Sequence, residues 1–218
     1  AQRTEVYEAF KENLVVIIES GDDFNDALIN LTPDQRREVY ELLKDKFTAI
    51  IKSSHHFCLV LKYLTSDKYT EICLLLKDRL SSIVKSGFDF HLVLKHLNQE
   101  QRTIVYDSLR GNFAAIINSG YEFGCVLLYL RLEECAAVCF EIKRNIANII
   151  KSGDDLGRLL QSLTLEQCTA VLESLKDEFA GIIKSGYDLC SIFQHLTPEQ
   201  RTVVLKYIKD NLAAIIKS

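Results

Sequence analysis

The sequence predicts an all-α fold: an α-solenoid in which long-helix/short-helix units stack into a superhelical array. The first observation behind this is a stretch that returns. Ile17-Ile18-Glu19-Ser20-Gly21 comes back as Ile50-Ile51-Lys52-Ser53-Ser54, Ile83-Val84-Lys85-Ser86-Gly87, Ile116-Ile117-Asn118-Ser119-Gly120, Ile149-Ile150-Lys151-Ser152-Gly153 and Ile182-Ile183-Lys184-Ser185-Gly186. Ile215-Ile216-Lys217-Ser218 closes the chain, and the spacing is 33 residues each time, without an insertion. The second observation is that apolar residues between the returns fall at helical steps. The third is that no strand-period segment and no phosphate-type glycine loop interrupts them. A fixed period of this length marks supersecondary units that bury their faces only by stacking on neighbours.

The long segment opens with a capping signature. Thr32-Pro33-Asp34-Gln35 and Thr197-Pro198-Glu199-Gln200 place a capping hydroxyl, Pro at the first helical position, an acid, and Gln where a capping box needs it. Thr164-Leu165-Glu166-Gln167 keeps the cap, the acid and the Gln. Val39, Leu43, Phe47, Ile50 and Ile51 then follow in steps of four, four, three and one, a single helical face. Val171, Leu175, Phe179, Ile182 and Ile183 repeat it. The expectation is one helix of roughly 18–20 residues, with Asp45 and Gly111 as candidate kinks. The Gly after each Ser suits the left-handed residue past a helix end. The Lys one turn earlier (Lys52, Lys85, Lys151, Lys184, Lys217) suits the negative end of the dipole. Thr48-Ala49, Ala114-Ala115, Gly181 and Ala213-Ala214 are expected to let adjacent long helices approach closely.

The short segment follows directly. Asp23, Asp89, Glu122, Asp155 and Asp188 stand near its start, where an acid caps a helix or favours its dipole. Phe57, Val60, Leu61 and Leu64 give it an apolar face, as do Leu189, Ile192, Phe193 and Leu196. A helix of about ten residues is unstable alone and needs neighbours. The whole chain reads as one repeat domain, with units at about 1–31, 32–64, 65–97, 98–130, 131–163, 164–196 and 197–218. It starts and stops inside a unit, which reads as a piece of a longer array or an array with trimmed ends.

Composition excludes some functions. The chain is 48% apolar and 26% charged, the balance of a folded domain, and no apolar run reaches bilayer length. No basic-then-apolar leader marks secretion, although a chain without Met leaves a cleaved leader open. The net charge of −4 argues against a general nucleic-acid binder. Cys58, Cys73, Cys125, Cys135, Cys139, Cys168 and Cys190 are odd in number and contain no Cys-x-x-Cys. Cys73 and Cys139 stand where Tyr40 and Tyr106 stand in other units, so these Cys read as small buried hydrophobes. Reduced thiols point to an intracellular compartment, the cytoplasm first and the nucleus second. Cys135, Cys139 and Cys168 form the one candidate metal cluster, at a spacing unlike zinc motifs. No Ser or Cys nucleophile stands beside a patterned base, so no enzyme and no cofactor is expected.

Two families share features with this repeat. Leu31-Thr32-Pro33-Asp34-Gln35 and Leu196-Thr197-Pro198-Glu199-Gln200 resemble the opening of transcription-activator-like effector repeats. That resemblance implies DNA binding, one base per repeat, through a variable pair followed by Gly-Gly. The Gly-Gly pair is absent here, and the Thr-Pro box opens the long helix rather than the short one, so no code pair carries over. Arg110-Gly111-Asn112-Phe113 through Gly120-Tyr121-Glu122, and Asn211-Leu212-Ala213-Ala214-Ile215-Ile216-Lys217-Ser218, resemble the second ankyrin helix and its following Gly. The ankyrin Thr-Pro-Leu-His box is missing, and an apolar helix replaces the β-hairpin. Both resemblances imply a binding array rather than an enzyme.

In such an array, columns that vary between units face outward. The short helix carries the sharpest variation. One column reads Asn25, Cys58, His91, Gly124, Gly157, Cys190; its neighbour includes Arg158; another reads Asn30, Tyr63, His96, Tyr129, Ser162, His195. The residue that opens the helix reads Asp22, His55, Phe88, Tyr121, Asp154, Tyr187. Aromatic and His residues on an exposed face suit recognition, while a plain solvent face would drift towards Lys, Glu and Ser. A protein partner is the first expectation. Nucleic acid is the second, and a spacer or self-associating segment the third. A second column is constantly basic: Lys11, Lys44, Lys77, Arg110, Lys143, Lys176 and Lys209. It could track phosphates, but Glu8, Glu41, Asp107 and Glu173 lie three residues earlier, at ion-pair spacing. Acids follow directly at Glu12, Asp45, Asp78, Asp177 and Asp210.

Overall fold

A computed structural model describes residues 2–209. The side chains of residues 2–6 and 179–180 stand outside the described set, and with them Phe179 of the expected core column. Asp210, Asn211-Leu212, Ala213-Ala214 and Ile215-Ile216-Lys217-Ser218 also lie outside the described residues. All regular structure among the described residues is helical.

The chain divides into two compact units, residues 1–84 with 92–109, and residues 85–91 with 110–218. The first holds α1 (Gln2–Ile17), α2 (Gly21–Leu28), α3 (Pro33–Leu43), α4 (Phe47–Ile50), α5 (Ser54–Leu61), α6 (Ser66–Leu76) and α7 (Leu80–Ile83). Of α8 (Gly87–Leu94), residues 92–94 belong to the first unit, which also holds α9 (Gln99–Leu109). The second holds the start of α8, then α10 (Phe113–Ile116), α11 (Gly120–Leu127), α12 (Leu132–Ile142), α13 (Ile146–Ile149) and α14 (Gly153–Leu160). It closes with α15 (Leu165–Leu175), α16 (Phe179–Ile182), α17 (Gly186–His195) and α18 (Pro198–Ile208).

Within each unit, helices pack on counterparts further along the chain. In the first, α2 packs on α5, while α1 packs on α3 and α6 on α9. In the second, α11 packs on α14 and α14 on α17, while α12 packs on α15 and α15 on α18. Phe24, Phe47, Phe57, Leu43 and Leu76 are fully buried in the first core, and Phe90, Phe113, Phe123, Leu156 and Val171 in the second.

The capping reading of the long segments holds locally. Thr32 Oγ1 accepts from the Gln35 N–H at 3.3 Å and Gln35 Oε1 accepts from the Thr32 N–H at 3.0 Å. Thr164 with Gln167 and Thr197 with Gln200 do the same. Only α1, of 16 residues, runs unbroken through its segment; the later segments do not form the expected single helix of 18–20 residues, and after an 11-residue helix a 3-10 turn follows at Lys44–Lys46, Lys77–Arg79, Lys143–Asn145 and Lys176–Glu178. These turns bury no side chain, so a tighter winding costs no core contact there. The break in front of α10 differs: Gly111 has φ 89°, and Glu141 of α12 accepts from the freed N–H groups of Gly111 and Phe113 at 3.1 and 2.7 Å.

The recurring joint has a different division of labour from the expected one. Ile50, Ile83, Ile116 and Ile149 end their helices, while the next residues, Ile51, Val84, Ile117 and Ile150, are extended and buried. The Ser then caps the short helix. Ser20, Ser53, Ser119, Ser152 and Ser185 accept from the N–H three residues on. The Gly after it is the first helical residue, and its φ is not positive; Gly111 is the positive-φ residue among those described. What demands glycine is space. A Cβ on Gly21 would stand 2.6 Å from His56, on Gly87 2.7 Å from the Glu122 carbonyl, and on Gly120 2.2 Å from the Asp155 carbonyl. On Gly153 it would stand 2.1 Å from the Asp188 carbonyl. The close approach therefore lies between short helices. Ala49, Ala114 and Ala115, expected to serve it between long helices, are exposed, and a Cβ on Gly181 would meet nothing within 4 Å.

Candidate partner-binding surface

The start of α2, α8, α11 and α14 has three residues with separate jobs, an order of residues that α17 shares. The Gly at the first position of those four faces the neighbouring helix, as above. The acid at the third folds back: Asp23, Asp89, Glu122, Asp155 and Asp188 accept from the N–H of Glu19, Lys85, Asn118, Lys151 and Lys184 at 2.9–3.1 Å. The residue between them is left pointing outward. Phe88, Tyr121 and Tyr187 are 45%, 49% and 81% exposed, large for aromatic side chains. They belong to α8, α11 and α17 of the second compact unit, with Asp154 of α14 in the same position.

The rest of the variable face in this unit is partly engaged. The Phe88 ring stacks on His91 at 6.1 Å, and His91 meets Tyr129 at 5.3 Å. His195 Nε2 bonds to Asp154 Oδ1 at 2.7 Å, and Arg158 Nε donates to Asp154 Oδ2 at 2.7 Å. Arg158, then His195, hold the Asp154 carboxyl below its ordinary range. Tyr121, Arg158 and Tyr187 are thus exposed, whereas His91, Tyr129 and His195 are half-buried in contacts between helices.

The first compact unit spends its variable residues in the same way. His56 Nε2 and His55 Nε2 approach the Asp22 carboxylate at 3.1 and 3.5 Å. Tyr63 donates to Asn25 Oδ1 at 2.9 Å, with the Arg36 guanidinium 4.8 Å from its ring centroid. Cys58 Sγ donates to the Leu92 carbonyl at 3.4 Å. His55 and His96 are exposed. Asn25, Asp22 and Asp154, members of the variable columns, are the acceptors of this network; the signal for the two acids is a His 34 residues after Asp22 and 41 after Asp154, one unit away.

The geometry of His55–His56 and of the Cys135, Cys139 and Cys168 candidate is that of hydrogen bonds. His56 Nδ1 accepts from the Lys52 N–H, which puts the ring proton on the nitrogen facing Asp22, a hydrogen bond rather than a ligand set. Cys135 Sγ donates to the Leu127 carbonyl and Cys168 Sγ to the Leu160 carbonyl, positions that Arg36, Arg102 and Arg201 serve with Nε on Leu28, Leu94 and Phe193. Burial pushes the Cys73, Cys135 and Cys139 thiols up to about 12 and Cys168 to about 11. Among the described residues no group of three or more His, Cys, Asp or Glu is arranged to hold a metal ion.

The basic column is largely paired. Lys11 bonds Glu8 and Lys176 bonds Glu173, both at 2.7 Å and at the expected spacing. Lys44 instead meets Glu71 at 3.9 Å, while Glu41 pairs with Lys68; Lys143 meets Asp177 at 3.4 Å. Lys77, Arg110 and Lys209 are exposed, without an ion pair among the described residues. A groove of about 480 Å³ beside α3 and α6 is lined by Arg36, Tyr40, Tyr63 and Lys68. Its cations are committed: Arg36 to the Leu28 and Ile29 carbonyls, Lys68 to Glu41 and Glu71.

No protein-family model matches the chain, and no curated protein is significantly similar to it. No helix among the described residues is long and apolar enough to cross a membrane.

Proposed function

We propose that the chain is a non-enzymatic binding module, an α-solenoid of 33-residue long-helix/short-helix repeats that docks a protein through the outward residues opening its short helices. The equal spacing of the 11-residue helices, which start at residues 33, 66, 99, 132, 165 and 198, supports the stacked reading. One observation carries the binding reading: Phe88, Tyr121 and Tyr187 occupy the same helix position and remain 45–81% exposed, while Phe24, Phe57, Phe90 and Phe123 of the short helices are fully buried. Rigid aromatic side chains with a polar tip supply binding energy at low entropic cost.

The test is a triple variant, Phe88→Ala, Tyr121→Ala and Tyr187→Ala, compared with the parent for proteins recovered by crosslinking and affinity capture. Partners lost with the variant, at unchanged helical content, support the surface; identical recovery overturns it. The nucleic-acid reading rests on the basic column, and ion pairs at Lys11, Lys44, Lys143 and Lys176 weaken its field. Titration with duplex DNA at low salt, where the phosphate attraction is largest, separates the two.

A further inference from the structure

The outward stripe of one long helix is apolar where its counterparts are polar. Leu132, Ala136 and Phe140 stand four residues apart on α12, on one side of the helix, and all three are exposed, Leu132 at 43% and Phe140 at 83%. The same three positions read Pro33, Arg37 and Glu41 on α3, and Gln99, Thr103 and Asp107 on α9. On α15 they read Leu165, Thr169 and Glu173, with Leu165 41% exposed. α15 packs against both α12 and α18, so its stripe is open with both neighbouring helices in place. A groove of about 530 Å³ opens beside it, lined by Leu132, Leu165, Ala170 and Tyr207, with Glu166 and Glu173 in its walls. The two leucines have no local reason to be there. They are the first residues of their helices, where Pro33, Ser66, Gln99 and Pro198 stand in the others, and they neither cap nor enter the core. The acids beside them do have a local reason, since Glu133 and Glu166 complement the dipoles of their own helices. Both are exposed and make no ion pair among the described residues. Arg131 is held by Glu134, and Lys176 by Glu173, each at 2.7 Å. The leucine end of the groove is therefore left with uncompensated negative charge.

We infer that this face of α12 and α15 docks a basic amphipathic helix of a partner protein. Its apolar side chains lie over Leu132, Phe140 and Leu165, and its Lys or Arg residues meet Glu133 and Glu166. Charge complementarity selects a basic occupant over an acidic one. Length selects a helix: Leu132 to Phe140 is about 12 Å along the axis, two turns, which a partner helix spans with apolar residues at i, i+3, i+4 and i+7. Ala136, Thr169 and Ala170 are small, so a partner backbone can come close between the larger side chains. Burial of the exposed apolar area supplies the driving force. This surface lies on the long helices and does not use the Phe88, Tyr121 and Tyr187 row, so it is a second surface on the same compact unit.

The probe is a fluorescein-labelled peptide of about 18 residues, long enough to form a helix, with Leu and Lys in amphipathic helical order. Two controls accompany it: the same order with Glu in place of Lys, and the Leu/Lys composition scrambled. Fluorescence anisotropy with the full chain is expected to show binding of the Leu/Lys helix and of neither control. Leu132→Ser with Leu165→Ser is expected to weaken binding about tenfold, and Phe140→Ser, away from the helix start, to weaken it as well. Glu133→Gln with Glu166→Gln is expected to flatten the salt dependence. No binding of the Leu/Lys helix, equal binding of either control, or parental affinity in the leucine variant overturns the inference. Sedimentation adds a further outcome: a concentration-dependent dimer abolished by the leucine substitutions makes a second copy the occupant and also overturns it. The Phe88→Ala, Tyr121→Ala and Tyr187→Ala variant is expected to bind the peptide as the parent does. Loss of binding there would place the peptide on the short-helix row and sink this site alone.

Discussion

The side-chain amide of Gln200 donates to the main-chain oxygen of Leu163 at 3.0 Å, across 37 residues of sequence. The same nitrogen reaches the Leu160 oxygen at 3.1 Å, so α18 adds a donor to the last carbonyl of α14 and to the turn that follows it. The other end of that amide accepts from the Thr197 N–H at 3.0 Å. Gln167 repeats the arrangement on Leu127 and Leu130. One residue thereby caps its own helix and staples it to an earlier one.

Replacing Gln200 by Leu keeps the volume and removes both functions. The Leu163 carbonyl loses its one N–H donor and the Leu160 carbonyl one of its donors, and the expected cost is about 1–3 kcal/mol, read as a lower urea midpoint. A midpoint equal to the parent's would show that the staple contributes nothing.

Glycine at the short-helix start should respond by position. A Cβ at Gly153 stands 2.1 Å from the Asp188 carbonyl, whereas at Gly186 it meets nothing within 4 Å. Gly153→Ala is expected to lower Tm by several degrees because backbone must move. Gly186→Ala is expected to be neutral or to stabilise by up to about 1 kcal/mol. Paired thermal melts check the contrast, and equal effects would remove close packing as the reason for the glycine.

Asp154 should show in pH dependence. Arg158 and His195 hold its folded pKa below the ordinary 3.8, so its contribution is fully present above that value. It is lost as pH falls through the lower folded pKa. The stability difference between the parent and Asp154→Asn is therefore expected to shrink as the solution is acidified below about pH 5. A difference that grows on acidification would contradict the sign.

Thiol labelling should separate the cysteines. Cys190 is exposed, whereas Cys73, Cys135, Cys139 and Cys168 are buried with thiols pushed up to about 11–12. Iodoacetamide at neutral pH is expected to modify Cys190 first and the buried four only on unfolding, because the thiolate is the nucleophile. Peptide mass spectrometry over time reads the order; early labelling of Cys139 would place it outside the core.

The sequence by itself determined what depends on neighbours along the chain. Thr32 with Gln35, and Thr197 with Gln200, form the capping boxes their spacing announces, and the helical steps of Val39, Leu43, Phe47 and Ile50 mark residues that are indeed buried. Periodicity located the short-helix starts at residues 21, 54, 87, 120, 153 and 186, and charge spacing found Lys11 with Glu8 and Lys176 with Glu173. Only the tertiary structure decided what each joint is for. Gly153 looked like a helix terminator, and it is the place where a neighbouring carbonyl leaves no room for a Cβ. Tyr63 and His195 looked like free recognition residues, and they are bound to Asn25 and Asp154 on another helix. The physical reason is range. Caps and amphipathic faces are set by residues three or four apart, which the chain spells out. The room beside a glycine and the partner of an outward side chain are set by residues 31 to 41 positions away, and only packing brings those within a few ångströms.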